Sequence, residues 1–139
     1  TQSYSAHPKF SPDGSLIAIH DGVRPLVSLD TIDRCFHAAA EFGNAIPCTE
    51  IPDTLRRLKG KRSIQVDRTK YRLIQTPQVF SAEILKKAYD REFHPGFTDD
   101  AGVVESLGHV IHLVPGNPEN IKITYQQDLI IAAALLRGD

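Results

Sequence analysis

The chain has 139 residues, and its 16 Lys and Arg nearly cancel 17 Asp and Glu, for a formal net charge of −1. That length suffices for one domain with a real core, but the cationic residues form only one short cluster, at 56–62, which argues against a nucleic-acid binder. The longest apolar segment, at 129–136, is far too short for a membrane span, and no secretory pattern opens the chain.

Two thiols, Cys35 and Cys48, lie outside any Cys-x-x-Cys spacing and suggest a reducing compartment, so a soluble, cytoplasmic protein is expected. Residues 1–15 are polar, contain Pro8 and Pro12, and lack an initiator Met. They read as the start of a fragment.

The apolar run at 16–19 predicts a short buried strand, and His20, Asp21, Gly22, Arg24 and Pro25 follow at its carboxyl end. Ligands bind outside the carboxyl ends of strands in open α/β sheets, so an acid and a guanidinium there fit a polyanion site, on a turn made possible by Gly22 and stiffened by Pro25. An ordinary polar turn would carry the same residues. Ser28 as N-cap, Asp30 in the first turn, and Ile32, Cys35, Phe36 and Ala39 at helical spacing predict a helix over about 29–42, ended by Gly43. A second strand at 45–48 completes a strand, helix, strand unit of the parallel crossover kind.

Residues 49–72 break the rhythm. Pro52, the basic cluster around Gly60 and the β-leaning stretch 63–66, separated from Ile51 by a turn, predict two short strands around a polar tip, a protruding hairpin arm with too little core to stand alone and suited to packing on a second subunit. The core resumes at 73–80, and Ser81 is placed to cap a helix through Ile84, Leu85, Ala88 and Tyr89. Thr98 is read as the cap of a further helix whose first turn holds Asp99 and Asp100, with Gly108 ending it. A strand at 110–114 and a short one at 121–123 follow. Lys122 lies between two inward apolar residues and faces away from them. Thr124 with Gln127 is read as the capping box of a last helix that buries Leu129, Ile130, Ala133 and Leu136.

The chemistry-bearing residues are few. The six His show no ligand spacing for a metal: His109 and His112, on an alternating segment, would face opposite ways. No nucleophile elbow, His-Glu-x-x-His or Walker loop occurs. What remains is Asp21, Arg24, Thr54, Arg68, Thr76 and Lys122, each at a strand end or on the arm. Cations and hydroxyls of this kind suit a phosphorylated small molecule, and transfer at phosphorus requires mainly placement and charge neutralisation.

The ordered series at 19–25, Asp53-Thr54, Val66-Asp67-Arg68, Gln75-Thr76-Pro77-Gln78 with Phe80, Thr98-Asp99-Asp100-Ala101, and Gly116 with Asn120 to Thr124 and Asp128-Leu129 closely resembles the 2-C-methyl-D-erythritol 4-phosphate cytidylyltransferase family. The order and the gaps agree from about residue 16 to the end. The resemblance implies an α/β, Rossmann-like nucleotidyltransferase fold with a β-hairpin arm at 49–72, all of 1–139 being part of one such domain, in a homodimer whose arms embrace the neighbour.

It implies a reaction joining CTP and methylerythritol phosphate, with release of pyrophosphate, in the non-mevalonate route to isoprenoids. Asp21, Arg24, Thr76 and Lys122 would line the polyol-phosphate side, Thr54 and Arg68 would reach in from the partner's arm, and Arg68 and Lys122 would orient the attacking phosphate. Asp21 and Gly22 would lie near the nucleotide, and Ser3 stands where the family has a Ser-Val that touches CTP, with Tyr4 in place of the Val. A divalent cation, Mg²⁺, would neutralise the triphosphate, with phosphates and water able to supply its ligands.

The family's opening strand and Gly-rich loop, with its Arg and Lys, are absent from this sequence. Without that cradle the chain alone is expected not to catalyse transfer. Two other readings remain: a ribitol 5-phosphate cytidylyltransferase, and a non-catalytic polyol-phosphate-binding or dimerisation module.

Overall fold

In the computed structural model, residues 14–90 and 99–138 are described. Strand β1 is Leu16–Ile19, helix α1 Leu29–Phe42 and strand β2 Asn44–Thr49. The arm carries β3, Arg56–Lys59, and β4, Arg62–Gln65; then come β5, Leu73–Ile74, and β6, Gln78–Ser81. Helices α2, Ala82–Tyr89, and α3, Asp100–Glu105, strand β7, Leu113–Pro115, and helix α4, Gln126–Arg137, complete the chain.

Sequence signals set the limits of α1. The Ser28 side chain accepts the Thr31 N–H at 3.1 Å, satisfying one of the amides that a helix start leaves over. Gly43 closes the helix at φ 85° and donates to the Ala39 carbonyl at 2.8 Å; a side chain there would be strained and would also meet Ile84 Cδ1 at 2.8 Å.

The parallel crossover is corrected in its pairing. The strand β6 lies between β1 and β2 and is antiparallel to both, while β7 adds to β2 in parallel. Alternation along the sheet then sorts the core. Ala45 and Val79 face Cys35 and Ala39 of α1, whereas Ile46 and Phe80 meet Leu85, Ala88, Ala101 and Val104 of α2 and α3. Helices therefore cover both faces. Burial pushes the Cys35 thiol up to about 11, against a smaller opposing pull from Arg34. Native protein at pH 8 should leave Cys35 unalkylated by iodoacetamide and lose that protection in urea; peptide mapping that found it labelled at the unfolded rate would contradict the packing.

Several expected details shift. The first arm strand is the basic cluster itself, paired across the tip at Gly60 and Lys61 from Arg56↔Gln65 to Lys59↔Arg62. The strand expected at 110–114 is confined to β7, and 121–123 forms no strand: Ile123 N–H instead donates to the Val23 carbonyl at 2.9 Å. Ser81 stands at the start of α2, but its side chain makes no capping bond.

Thr98, read as the cap of α3, lies outside the described residues. Asp99 performs that role, accepting the Gly102 N–H at 2.9 Å while its other oxygen takes Gln78 Nε2 at 3.0 Å; Asp100 accepts the Tyr89 hydroxyl. Both acids thus have structural partners. At α4 the box is shifted by one residue: Asp128, not Gln127, accepts the Tyr125 and Thr124 amides, at 2.7 and 2.8 Å. The expected buried face of α4 is also corrected, because Leu129, Ile130 and Leu136 are exposed and only Ala132 is buried.

Candidate active site

The site begins as an interruption in a strand. Along one edge of β2 the chain pairs first through β5, at Ile74↔Cys48, and later through β6, at Val79↔Ala45, in a shifted register. After a last bond from the Gln75 N–H to the Pro47 carbonyl at 2.8 Å, residues 76–77 therefore bow out of the ladder. Because β6 also pairs with β1 up to Ile19↔Gln78, the bow lies beside the carboxyl end of β1. Thr76 Oγ1 consequently accepts the Asp21 N–H at 2.9 Å.

A third segment, the loop after β7, is locked to this junction by amides. Gly116 N–H donates to the Cys48 carbonyl at 2.8 Å. Gln75 Nε2 donates to the Asn117 carbonyl at 2.9 Å, and Asn120 Nδ2 to the Thr76 carbonyl at 2.8 Å. Gln75 and Asn120 are both buried, where unpaired polar atoms are costly; both amide nitrogens are bonded, while Asn120 Oδ1 has no partner among the described residues. This loop carries Lys122 to within 3.5 Å of Asp21 Oδ2.

Arg24 serves as the clasp. The turn from the Asp21 carbonyl to the Arg24 N–H, at 3.0 Å, folds its guanidinium back. Nε then meets Asp21 Oδ2 at 3.3 Å, Nη1 donates to the Asn120 carbonyl at 2.8 Å and Nη2 to the Ile74 carbonyl at 3.3 Å. Its side chain is only 12% exposed, against 53% for Lys122. One carboxylate thus stands between two cations, of which Arg24 is mostly spent on the protein and Lys122 is open to a ligand.

Asp21, Arg24, Thr76 and Lys122 lie together in one cluster. Gly22 is exposed in the same turn, but not for the expected reason: its φ is not positive, and the space around its Cα is open. It leaves room and does not make the turn possible. Arg68 and Thr54 lie elsewhere. Arg68 donates to the Pro52 carbonyl and lines a separate cleft of about 710 Å³ at the root of the arm, with Cys48, Thr69 and Arg72. Thr54 is exposed on the approach to β3. Ser3 lies outside the described residues.

The residues that sequence reasoning left without a role are His20, Gln75, Asn117 and Asn120. Their signal was faint: two amides, Gln75 and Gln78, flank Thr76-Pro77 in an otherwise apolar run, where polar side chains must find partners.

Helices on both sheet faces, strand ends that gather an acid, a hydroxyl and two cations, and a projecting hairpin define a Rossmann-like nucleotidyltransferase fold, and solved structures agree. The chain superposes with a TM-score of 0.78 on 2-C-methyl-D-erythritol 4-phosphate cytidylyltransferase from Thermus thermophilus, at 38% identity over 88% of this chain and 62% of that one. It matches 4-diphosphocytidyl-2C-methyl-D-erythritol synthase from Anaerococcus prevotii with a TM-score of 0.81, at 30% identity over 93% of this chain and 60% of that one.

A family model for 2-C-methyl-D-erythritol 4-phosphate cytidylyltransferase (IspD) matches residues 5–138, and the chain belongs to that family. Proteins of that name from Bacteroides thetaiotaomicron and Bacteroides fragilis are 53% and 52% identical over 121 residues. The chain spans about half the length of these relatives: 87% of this chain matches 55% of each of theirs.

Proposed function

We propose that the protein bearing this chain transfers a cytidylyl group from CTP to 2-C-methyl-D-erythritol 4-phosphate, a step in the non-mevalonate route to isoprenoids. The observation that carries this reading is the convergence of Asp21, Arg24, Thr76 and Lys122 at the strand ends of a chain that belongs to this family. A phosphate oxygen of the polyol attacks the α-phosphorus of CTP; the new P–O bond forms as the bond to the β-phosphate oxygen breaks, and pyrophosphate leaves with that electron pair. Lys122 draws the attacking phosphate to the site, and Arg24 holds Asp21 and the loop carbonyls around it. Such placement and charge neutralisation are what phosphoryl chemistry needs from a protein.

Mg²⁺ is the proposed metal, and its charge would offset that of the triphosphate. Among the described residues no three His, Cys, Asp or Glu gather as a ligand set, and Asp21 Oδ2 is already shared by two cations. Phosphate oxygens and water are therefore its main ligands in this reading. The cytoplasm is the proposed location, in keeping with two free thiols and with the lack of any helix among the described residues long and apolar enough to cross a membrane.

The arm supports a homodimer. Its strands are exposed throughout, with Leu58 at 80%, and an isolated hairpin is marginal in water. Arg68 and Thr54 in this reading serve the neighbour's site. Full-length Arg68→Ala and Asp21→Ala subunits, each inactive alone, should recover about one quarter of wild-type turnover when mixed, because half the dimers are mixed and one site in each keeps both residues. No recovery after proven exchange would place Arg68 in its own subunit's site.

The parent reading is tested by pyrophosphate release from the full-length protein with CTP and either methylerythritol 4-phosphate or ribitol 5-phosphate. Faster turnover of the first is expected. Preference for ribitol 5-phosphate would reassign the substrate, and binding without pyrophosphate release would make the protein a non-catalytic module.

A further inference from the structure

His20 touches two of the site residues, one with each ring nitrogen. Nε2 is 2.9 Å from the Arg24 carbonyl oxygen, and Nδ1 is 2.8 Å from Thr76 Oγ1. Turning the ring over would put carbon at both positions and lose both bonds. A carbonyl can only accept, so in the neutral ring the proton sits on Nε2 and Nδ1 offers its lone pair. Thr76 then donates its single hydroxyl proton to Nδ1. The same oxygen already accepts the Asp21 N–H at 2.9 Å. A hydroxyl has one donor and two acceptor positions, so Thr76 keeps one acceptor position for a ligand and no donor.

We infer that His20 is a positioning residue that fixes the polarity of the Thr76 hydroxyl, so that Thr76 recognises a hydroxyl of the polyol and not its phosphate. An ionised phosphate oxygen carries no proton to give; a carbon-bound hydroxyl does. The phosphate end is thereby left to the cations, with Lys122 the more exposed of the two at this cluster. The inference rests on the proposed function and deepens it by assigning one end of the substrate to one residue. A doubly protonated ring would reverse the arrangement: Nδ1–H would donate to Thr76, whose own proton would turn outward toward a phosphate oxygen.

Nitrogen–proton correlation NMR of the imidazoles in full-length protein reads the arrangement without turnover. His20 is expected to carry its proton on Nε2, with an Nδ1 signal that shifts in Thr76→Val. Kinetics supply the second arm. Asn can place a side-chain oxygen where Nδ1 lies and so keep the Thr76 polarity, whereas Gln can restore only the bond to the Arg24 carbonyl.

At comparable thermal stability, His20→Asn should therefore keep roughly tenfold more of kcat/KM than His20→Gln, the scale of one well-placed hydrogen bond. One monodeoxy analogue of methylerythritol phosphate should be a poorer substrate of the unsubstituted enzyme and lose little more in Thr76→Val. A proton on Nδ1, Gln outperforming Asn, or equal losses in Thr76→Val for the parent substrate and every deoxy analogue would overturn the inference. Absence of turnover by the unsubstituted enzyme would count against the proposed function alone, and the NMR arm would still decide the role of His20.

Discussion

Lys122→Ala in the full-length protein should lower kcat/KM for methylerythritol phosphate by roughly 100-fold or more, the usual loss when a charge-stabilising group is removed from a transfer site, with little change in Tm. Arg24→Ala should lose activity and stability together. The two cations flank the same carboxylate oxygen, at 3.3 Å for Arg24 and 3.5 Å for Lys122, yet they do different work. Lys122 has a half-exposed side chain, and its pairing with Asp21 is worth little to the fold.

Arg24 is nearly buried and donates to two backbone carbonyls from separate segments, those of Ile74 and Asn120. Removing it strips those acceptors and leaves Asp21 without its nearer partner, a cost of about 2–4 kcal/mol. Arg24→Lys should recover little, because an ammonium cannot span the fork. Thermal melts beside steady-state kinetics separate the two cases. Equal Tm losses for both variants would show that Lys122 is also structural.

The contrast explains what was legible in the sequence. Local signals were sufficient where the chain acts locally: the apolar run of β1, the Ser28 and Gly43 limits of α1, and the acid and guanidinium at the end of β1. Pairing partners were not legible. Alternation tells which side chains share a face but not which strand lies alongside, so the insertion of antiparallel β6 between β1 and β2 had no local sign. Helix α4 shows the same limit from another side: its apolar residues run nearly all round, and periodicity could not choose a face.

At the site, Thr76 and Lys122 were legible as residue types at strand ends and only the resemblance joined them, while the amides that hold them gave a faint signal. Gln75 and Asn120 read as loop polarity because their burial depends on three segments meeting.

That meeting makes Gly116→Ala the second large effect. Gly116 is not in the left-handed region, so the reason for glycine is space and not φ. A Cβ there would collide with Gln75 Oε1 and stand 3.2 Å from the Cys48 carbonyl oxygen. A flexible side chain on the surface would step aside, but Gln75 is buried and tied to the Asn117 carbonyl at 2.9 Å and to Asn120 Nδ2 at 3.4 Å. The backbone cannot retreat either, since Gly116 N–H is held by that same Cys48 carbonyl.

Overpacking of this kind costs about 1–3 kcal/mol, and the displaced amide adds to it. Because Asn120 bonds to the Thr76 carbonyl and its own carbonyl receives Arg24, the shift should also reach the proposed substrate site and raise KM. Gln75→Ala removes the obstructing group. In the double variant, the penalty for Gly116→Ala should therefore shrink by roughly 1 kcal/mol or more, the scale of coupling between residues in contact. Strict additivity in urea melts would mean that the glycine is required by the Cys48 backbone alone and that the amides do not transmit the strain to Thr76.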